Sequence, residues 1–104
     1  MTQFEKSWQR AWTGIAELEL KLGHPRKAVV AATRAHELAS KPGEGRNVAG
    51  PEAAFLLART LMAAGEHARA RRHAEDAVRE FRAIGPSWNS HADEVVAWLQ
   101  RSPR

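Results

Sequence analysis

Phe4, Trp8, Trp12, Ile15, Leu18 and Leu22 recur every three or four residues, the spacing that lines side chains along one face of an α-helix. In "TQFE", Thr2 stands three residues before Glu5, a capping-box pattern that predicts a helix start at Thr2. Gly14 weakens this helix a little, and Gly23 is a good stop. Pro25 suits the first turn of a second helix, where no amide donor is needed. Ala28, Ala32, Ala35 and Ala39, joined by Val29 and Leu38, form its inner face. "SKPGEGRNVAG" then breaks the pattern, and Pro42, Gly43, Gly45 and Gly50 mark a loop. Pro51 opens a third helix with a stripe of Ala54, Leu57, Ala58 and Leu61, ended by Gly65. A fourth runs from about His67 to Ile84, with Ala70, Ala74, Ala77, Val78, Phe81 and Ile84 inward. After "GPSWNS" a fifth begins near Ser87 or Ser90 and carries Val95, Val96, Trp98 and Leu99. No segment alternates convincingly as a strand. The predicted division is a hairpin over 2–40, a loop over 41–50, a second hairpin over 51–84 and a closing helix over 88–101.

The two hairpins share a register. Aligning Gly23 with Gly65 sets Ile15 on Leu57, Ala16 on Ala58, Ala28 on Ala70 and Ala35 on Ala77, always 42 residues apart. Each unit is a helix, a glycine turn and a helix, with small residues at fixed offsets from the glycine. Antiparallel helices approach closely only where side chains are small, so the alanines predict the contact points of each hairpin. The competing reading is a plain five-helix bundle in which the alanines coincide by chance.

These positions resemble the tetratricopeptide repeat family. In the first unit Trp12, Ile15, Ala16, Gly23, Ala28 and Ala35 match its signature; in the second, Leu57, Ala58, Leu61, Gly65, Ala70 and Ala77 match, with Ala54 in place of the Trp. The last helix is similar to the opening of a third unit through Ala92, Val95, Val96 and Leu99. The departures are Glu19, where the family prefers an aromatic or Leu, a closing Pro displaced to Pro42, and a period longer than the usual one of about 34. The resemblance implies an all-α fold: a short right-handed α-solenoid of two helical hairpins plus a C-terminal capping helix.

Composition agrees with a single helical domain. The chain has 104 residues, 43% hydrophobic and 27% charged, with no Tyr or Cys. That length suits one modest core. The missing cysteines exclude disulfides, thiolate nucleophiles and zinc–thiolate centres. The formal charge of +4 is spread among interspersed acids and bases, which favours acidic partners only in general terms. "MTQFEKSWQR" carries charges where a signal peptide needs an apolar core, and no run approaches about 18 apolar residues. The expectation is a cytoplasmic protein without a membrane span.

Reactive chemistry finds little support. His24, His36, His67, His73 and His91 include no i,i+4 pair and no HExxH motif, so they read as exposed or capping residues and no metal is expected. Glu75, Asp76 and Glu80 near His73 alternate with Arg72, Arg79 and Arg82, the pattern of a solvated ion-pair face. "GEGR" follows a helix rather than a strand, which makes it a poor phosphate loop. Arg69, Arg71, Arg72, Arg79 and Arg82 concentrate on one helix, but interleaved acids oppose a phosphate backbone and no base-stacking motif accompanies them. The reading is therefore not an enzyme, without cofactor, and with nucleic acid disfavoured.

The family's function is protein–protein interaction on a concave face built from the first helix of each unit. Carried onto this chain, that face draws Arg10, Thr13, Glu17, Leu20 and Lys21 from the first helix and Glu52, Phe55, Arg59 and Met62 from the third. Asp93 and Arg101 come from the fifth. Phe55, Leu20 and Met62 offer apolar anchoring, and Lys21, Arg59 and Arg101 suit a carboxylate. The Lys/Asn clamp by which some members hold chaperone tails is not reproduced, since Thr13, Glu17 and Leu56 occupy its positions. The implied function is an adaptor or scaffold module that receives a peptide or helix of another protein. Phe4 and Trp8 extend the first helix beyond the family's usual start. They predict self-association as a homodimer, contact with a larger partner, or packing back onto the second helix.

Overall fold

A computed structural model describes residues 3–40 and 48–103. Within them the chain is all α-helical: α1 (Gln3–Lys21), α2 (Pro25–Ala39), α3 (Ala49–Ala63), α4 (His67–Ile84) and α5 (Asn89–Arg101), with a 3-10 turn at Pro86–Trp88. Thr2, the predicted cap, and Pro42, Gly43 and Gly45 of the predicted loop lie outside the described residues. α3 begins two residues before Pro51, with the Glu52 amide donating to the Val48 carbonyl at 3.2 Å. A proline is tolerated there because the first turn's amides have no intrahelical acceptor.

The turns after α1 and α3 are copies of each other. Gly23 and Gly65 have φ of 76° and 84°, a left-handed conformation that glycine adopts without steric cost. The Gly23 amide donates to the Leu20 carbonyl and the His24 amide to the Glu19 carbonyl; Gly65 and Glu66 do the same to Met62 and Leu61. This paired closure satisfies carbonyls that the helix end would leave open. The next helix then starts identically, with Ala28 donating to His24 and Ala70 to Glu66, each at 3.0 Å. The 42-residue register is thus present in backbone geometry as well as in residue identity.

Consecutive helices pack in order, α1 on α2, α2 on α3, α3 on α4 and α4 on α5, and α1 also reaches α3. Ala16, Ala28, Ala32, Ala35, Ala54, Ala58, Ala70, Ala74, Ala77 and Ala92 are fully buried. One part of the core joins Ala16, Ala31 and Ala32 to Leu56, Leu57, Leu61 and Ala70, flanked by Trp12, Leu20, Val29 and Met62. The other joins Ala54, Ala58, Ala74 and Ala77 to Phe81, Ala92 and Val95, flanked by Phe55, Val78, Ile84, Trp88, Trp98 and Leu99. Thr60 is the buried polar residue of α3, and its hydroxyl donates to the Leu57 carbonyl at 2.8 Å.

α1 departs from the simplest reading of its pattern. Its buried position is Ala16, with Trp12 and Leu20 packed beside it. Apart from Trp12, the regular stripe faces water instead: Phe4 is 72% exposed and Trp8 48%, and Ile15, Leu18 and Leu22 are also exposed. The reason is geometric. Close contact with α2 requires α1 to present its small residue, which turns the bulky stripe away.

Ala58 tests this account of the packing. Ala58→Leu forces extra bulk into a fully buried contact and is expected to cost about 1–3 kcal/mol, or more, in urea unfolding followed by circular dichroism. Ala63→Leu, exposed on the same helix, should stay within about 0.5 kcal/mol. Equal stability of the two variants would remove the close-approach argument at this contact.

Candidate functional site

A cavity of about 290 Å³ opens across α1, α3 and α5. α1 supplies Gln9, Thr13 and Glu17, one residue per turn along the same side. α3 supplies Glu52, Ala53, Phe55, Leu56 and Arg59, and α5 supplies His91, Glu94 and Val95, with Phe81 of α4 beneath. The floor is apolar. Phe55 meets Trp98 edge to face at 5.4 Å between ring centres, and the Arg59 guanidinium lies 5.8 Å from the centre of the Phe55 ring. Such contacts hold Phe55 and Arg59 in defined positions. On α1 the Gln9 side-chain amide donates to the Thr13 hydroxyl, which in turn donates to the Gln9 carbonyl.

Of the residues assigned from sequence to a binding face, Glu17, Phe55 and Arg59 line this cavity, together with Thr13 and Glu52. Leu20 and Met62 pack against the core instead. Arg10, Lys21 and Arg101 are exposed outside the lining, and Asp93 faces Arg82 at 3.6 Å. The rim therefore carries Glu17, Glu52 and Glu94 against the single guanidinium of Arg59. That balance is the reverse of a carboxylate-holding face, because Lys21 and Arg101 stand away from it. Gln9, Leu56, His91, Glu94 and Val95 were not assigned to this face from sequence. Two signals point to three of them: Gln9 lies one helical turn before Thr13, and the 42-residue register carries Glu52 onto Glu94 and Ala53 onto Val95.

The histidines are more enclosed than their spacing suggested. His36 of α2 and His73 of α4 are half-buried with ring centres 5.5 Å apart. His91 packs against Phe81 and Trp88, and the Nδ1 atoms of His73 and His91 are buried without a hydrogen-bond partner. His24 bridges the first turn to Glu19 at 2.8 Å. Among the described residues no three His, Cys, Asp or Glu side chains converge as a metal site. Four of the five α4 arginines are engaged within the chain: Arg69 with Glu66, Arg79 with Asp76, Arg82 with Asp93, while Arg71 donates to the Leu99 carbonyl at 3.1 Å. No described helix is long and apolar enough to cross a membrane.

A scan against protein-family models and searches of curated proteins and of solved structures find no match to this chain.

His73 gives a pH signature. Burial first, then the nearby His36, lowers its pKa below 6.5, with Arg69 and Arg72 adding to this and Asp76 opposing it. The folded chain therefore gives up this proton more readily than the unfolded chain. The stability His73 contributes is present above the unfolded value of 6.5, starts to fall as pH drops past it, and is lost as pH falls through the lower folded value. Unfolding midpoints are expected to drop between about pH 7.5 and pH 5.5, and to drop less in His73→Gln. An identical decline in the variant would assign the effect elsewhere.

Proposed function

We propose that this chain is a non-catalytic protein–protein interaction module that receives a segment of another protein in the cavity across α1, α3 and α5. The observation that carries the reading is the lining: an apolar floor of Ala53, Phe55, Leu56 and Val95 inside a rim of Gln9, Thr13, Glu17, Glu52, Arg59 and Glu94. Apolar anchoring with polar groups at the edge is the usual make-up of a peptide-receiving groove. The finer architecture belongs to the same reading. A right-handed solenoid of tetratricopeptide type is supported by the shared register, the twin glycine turns and the sequential packing of neighbours. In such a solenoid, first helices of successive units share one face, and α1, α3 and α5 are those helices.

The rim selects the chemistry of the segment. Three carboxylates around one guanidinium favour basic side chains flanking an apolar anchor. An acidic tail meets repulsion from Glu17, Glu52 and Glu94, in keeping with the missing Lys/Asn clamp. A role on nucleic acid draws no support from α4, whose arginines Arg69, Arg79 and Arg82 face carboxylates of the same chain.

Two amphipathic peptides of about fifteen residues, one built from Leu and Lys and one from Leu and Glu, test the reading by fluorescence anisotropy. The Leu/Lys peptide should bind and the Leu/Glu peptide should not. Phe55→Ala combined with Arg59→Ala should weaken binding about tenfold or more, and Glu52→Lys with Glu94→Lys should reverse the preference. Undiminished affinity in the Phe55/Arg59 variant would take this face out of the account.

A further inference from the structure

α1 has a second surface, on the side away from the cavity. Phe4, Trp8, Ile15, Leu18 and Leu22 are 72%, 48%, 44%, 54% and 57% exposed. With about 100° of rotation per residue, these five and Ala11 fall within an arc of about 80°, roughly opposite Gln9, Thr13 and Glu17. No charged or polar residue falls inside the arc. The ridge runs for about 27 Å at 1.5 Å per residue. With about 150–250 Å² on a large aromatic side chain and less on each aliphatic one, these exposures leave on the order of 500 Å² of apolar surface in water. That lies at the upper part of the range for the largest apolar patch of a typical monomer, about 300–600 Å², which is often functional.

We propose that this ridge pairs with the same ridge of a second copy of the chain, antiparallel, about a two-fold axis near its middle. Three observations favour a second copy. First, an uncharged stripe gives a partner nothing to recognise by charge, whereas it is complementary to itself. Second, its two ends differ in shape. Flat rings stand at Phe4 and Trp8 and branched chains at Leu18 and Leu22, so antiparallel pairing sets Phe4 opposite Leu22, Trp8 opposite Leu18 and Ala11 opposite Ile15. Each bulky group then meets a smaller one, and the contact is the same from both sides, as a two-fold interface requires. Third, bulk is least at the centre. Ala11 is exposed there, and a Cβ added to Gly14 would meet nothing within 4 Å beyond the local backbone of its own helix. A glycine inside a helix weakens it, and nothing within the chain makes use of the space it leaves. Beside Trp8 a depression of about 350 Å³, lined by Trp12, Arg34, Glu37 and Leu38, gives the facing Leu18 room. Two copies would bury about 1,000 Å² from these side chains alone, close to the lower bound of a specific interface before the flanks are counted.

The pairing leaves the cavity across α1, α3 and α5 open, so the assembly is two-headed, and it stands whether or not that cavity binds a peptide. Sedimentation equilibrium of the full chain from about 2 to 200 µM tests it, a range that covers the weak association typical of interfaces near the lower size limit. The mass should rise from the 11.5 kDa of one chain towards twice that value. Ile15→Glu with Leu18→Glu, both at exposed positions, should sediment as a monomer throughout with an unchanged helical spectrum. Phe4→Lys, at the most exposed ring, supplies a second variant should that pair fail to fold, with association weakened at least about tenfold. A wild-type monomer at about 200 µM, or a dimer unaffected by these charges, overturns the proposal.

Discussion

The structure depends on how closely neighbouring helices approach at alanine. Interaxial distance is set by the side chains at the crossing, and here Ala16, Ala28 and Ala35 of the first hairpin, and Ala58, Ala70 and Ala77 of the second, are all fully buried. A methyl group at each contact leaves backbone against backbone with little between. Burying methyls contributes little transfer energy on its own. The larger share, about 1.5–3 kcal/mol per side chain, comes from Leu56, Leu57, Leu61, Phe81 and Val95 in the spaces that the close contacts define. The alanines thus set the geometry, and the few large residues supply most of the energy.

That division of labour determines which surfaces remain. Because α1 turns Ala16 inward, its bulky residues point out. Because α3 turns Ala54, Leu57, Ala58 and Leu61 inward, Phe55 and Arg59 are left at the edge of a cavity where Trp98 steadies the ring. The two faces of α1 differ in chemistry. One side presents Gln9, Thr13 and Glu17 to a carboxylate-rich cavity, and the other presents aromatic and aliphatic carbon.

Much of the fold was legible before any coordinates. The start of α2 was marked by Pro25 and the approximate span of α4 by its alanine stripe, and the glycine turns by the register that links Gly23 to Gly65. Both depend on local rules: helix periodicity, and the left-handed conformation that glycine adopts without penalty. α3 was displaced because Pro51 is as acceptable within the first turn as at its start. The cavity was only half legible. Phe55, Arg59 and Glu17 were named from the unit's geometry and Glu94 was within reach of the 42-residue register, whereas His91 required knowing how far α5 rotates over α3.

The sequence by itself determined the helices, the turns and the identity of the contact residues, because each follows from interactions within a few residues or from side-chain size. Tertiary structure alone decided which side of α1 is inside. Phe4, Trp8, Ile15, Leu18 and Leu22 form the more regular stripe, and hydrophobicity favours burying it. Ala16 is buried instead, since only the alanine side permits contact with α2 while α3 packs behind. The sign of the cavity was decided in the same way. Arg10, Lys21 and Arg101 lie on the same helices as Glu17 and Glu94, and the crossing of α1, α3 and α5 determines which of those charges share a wall.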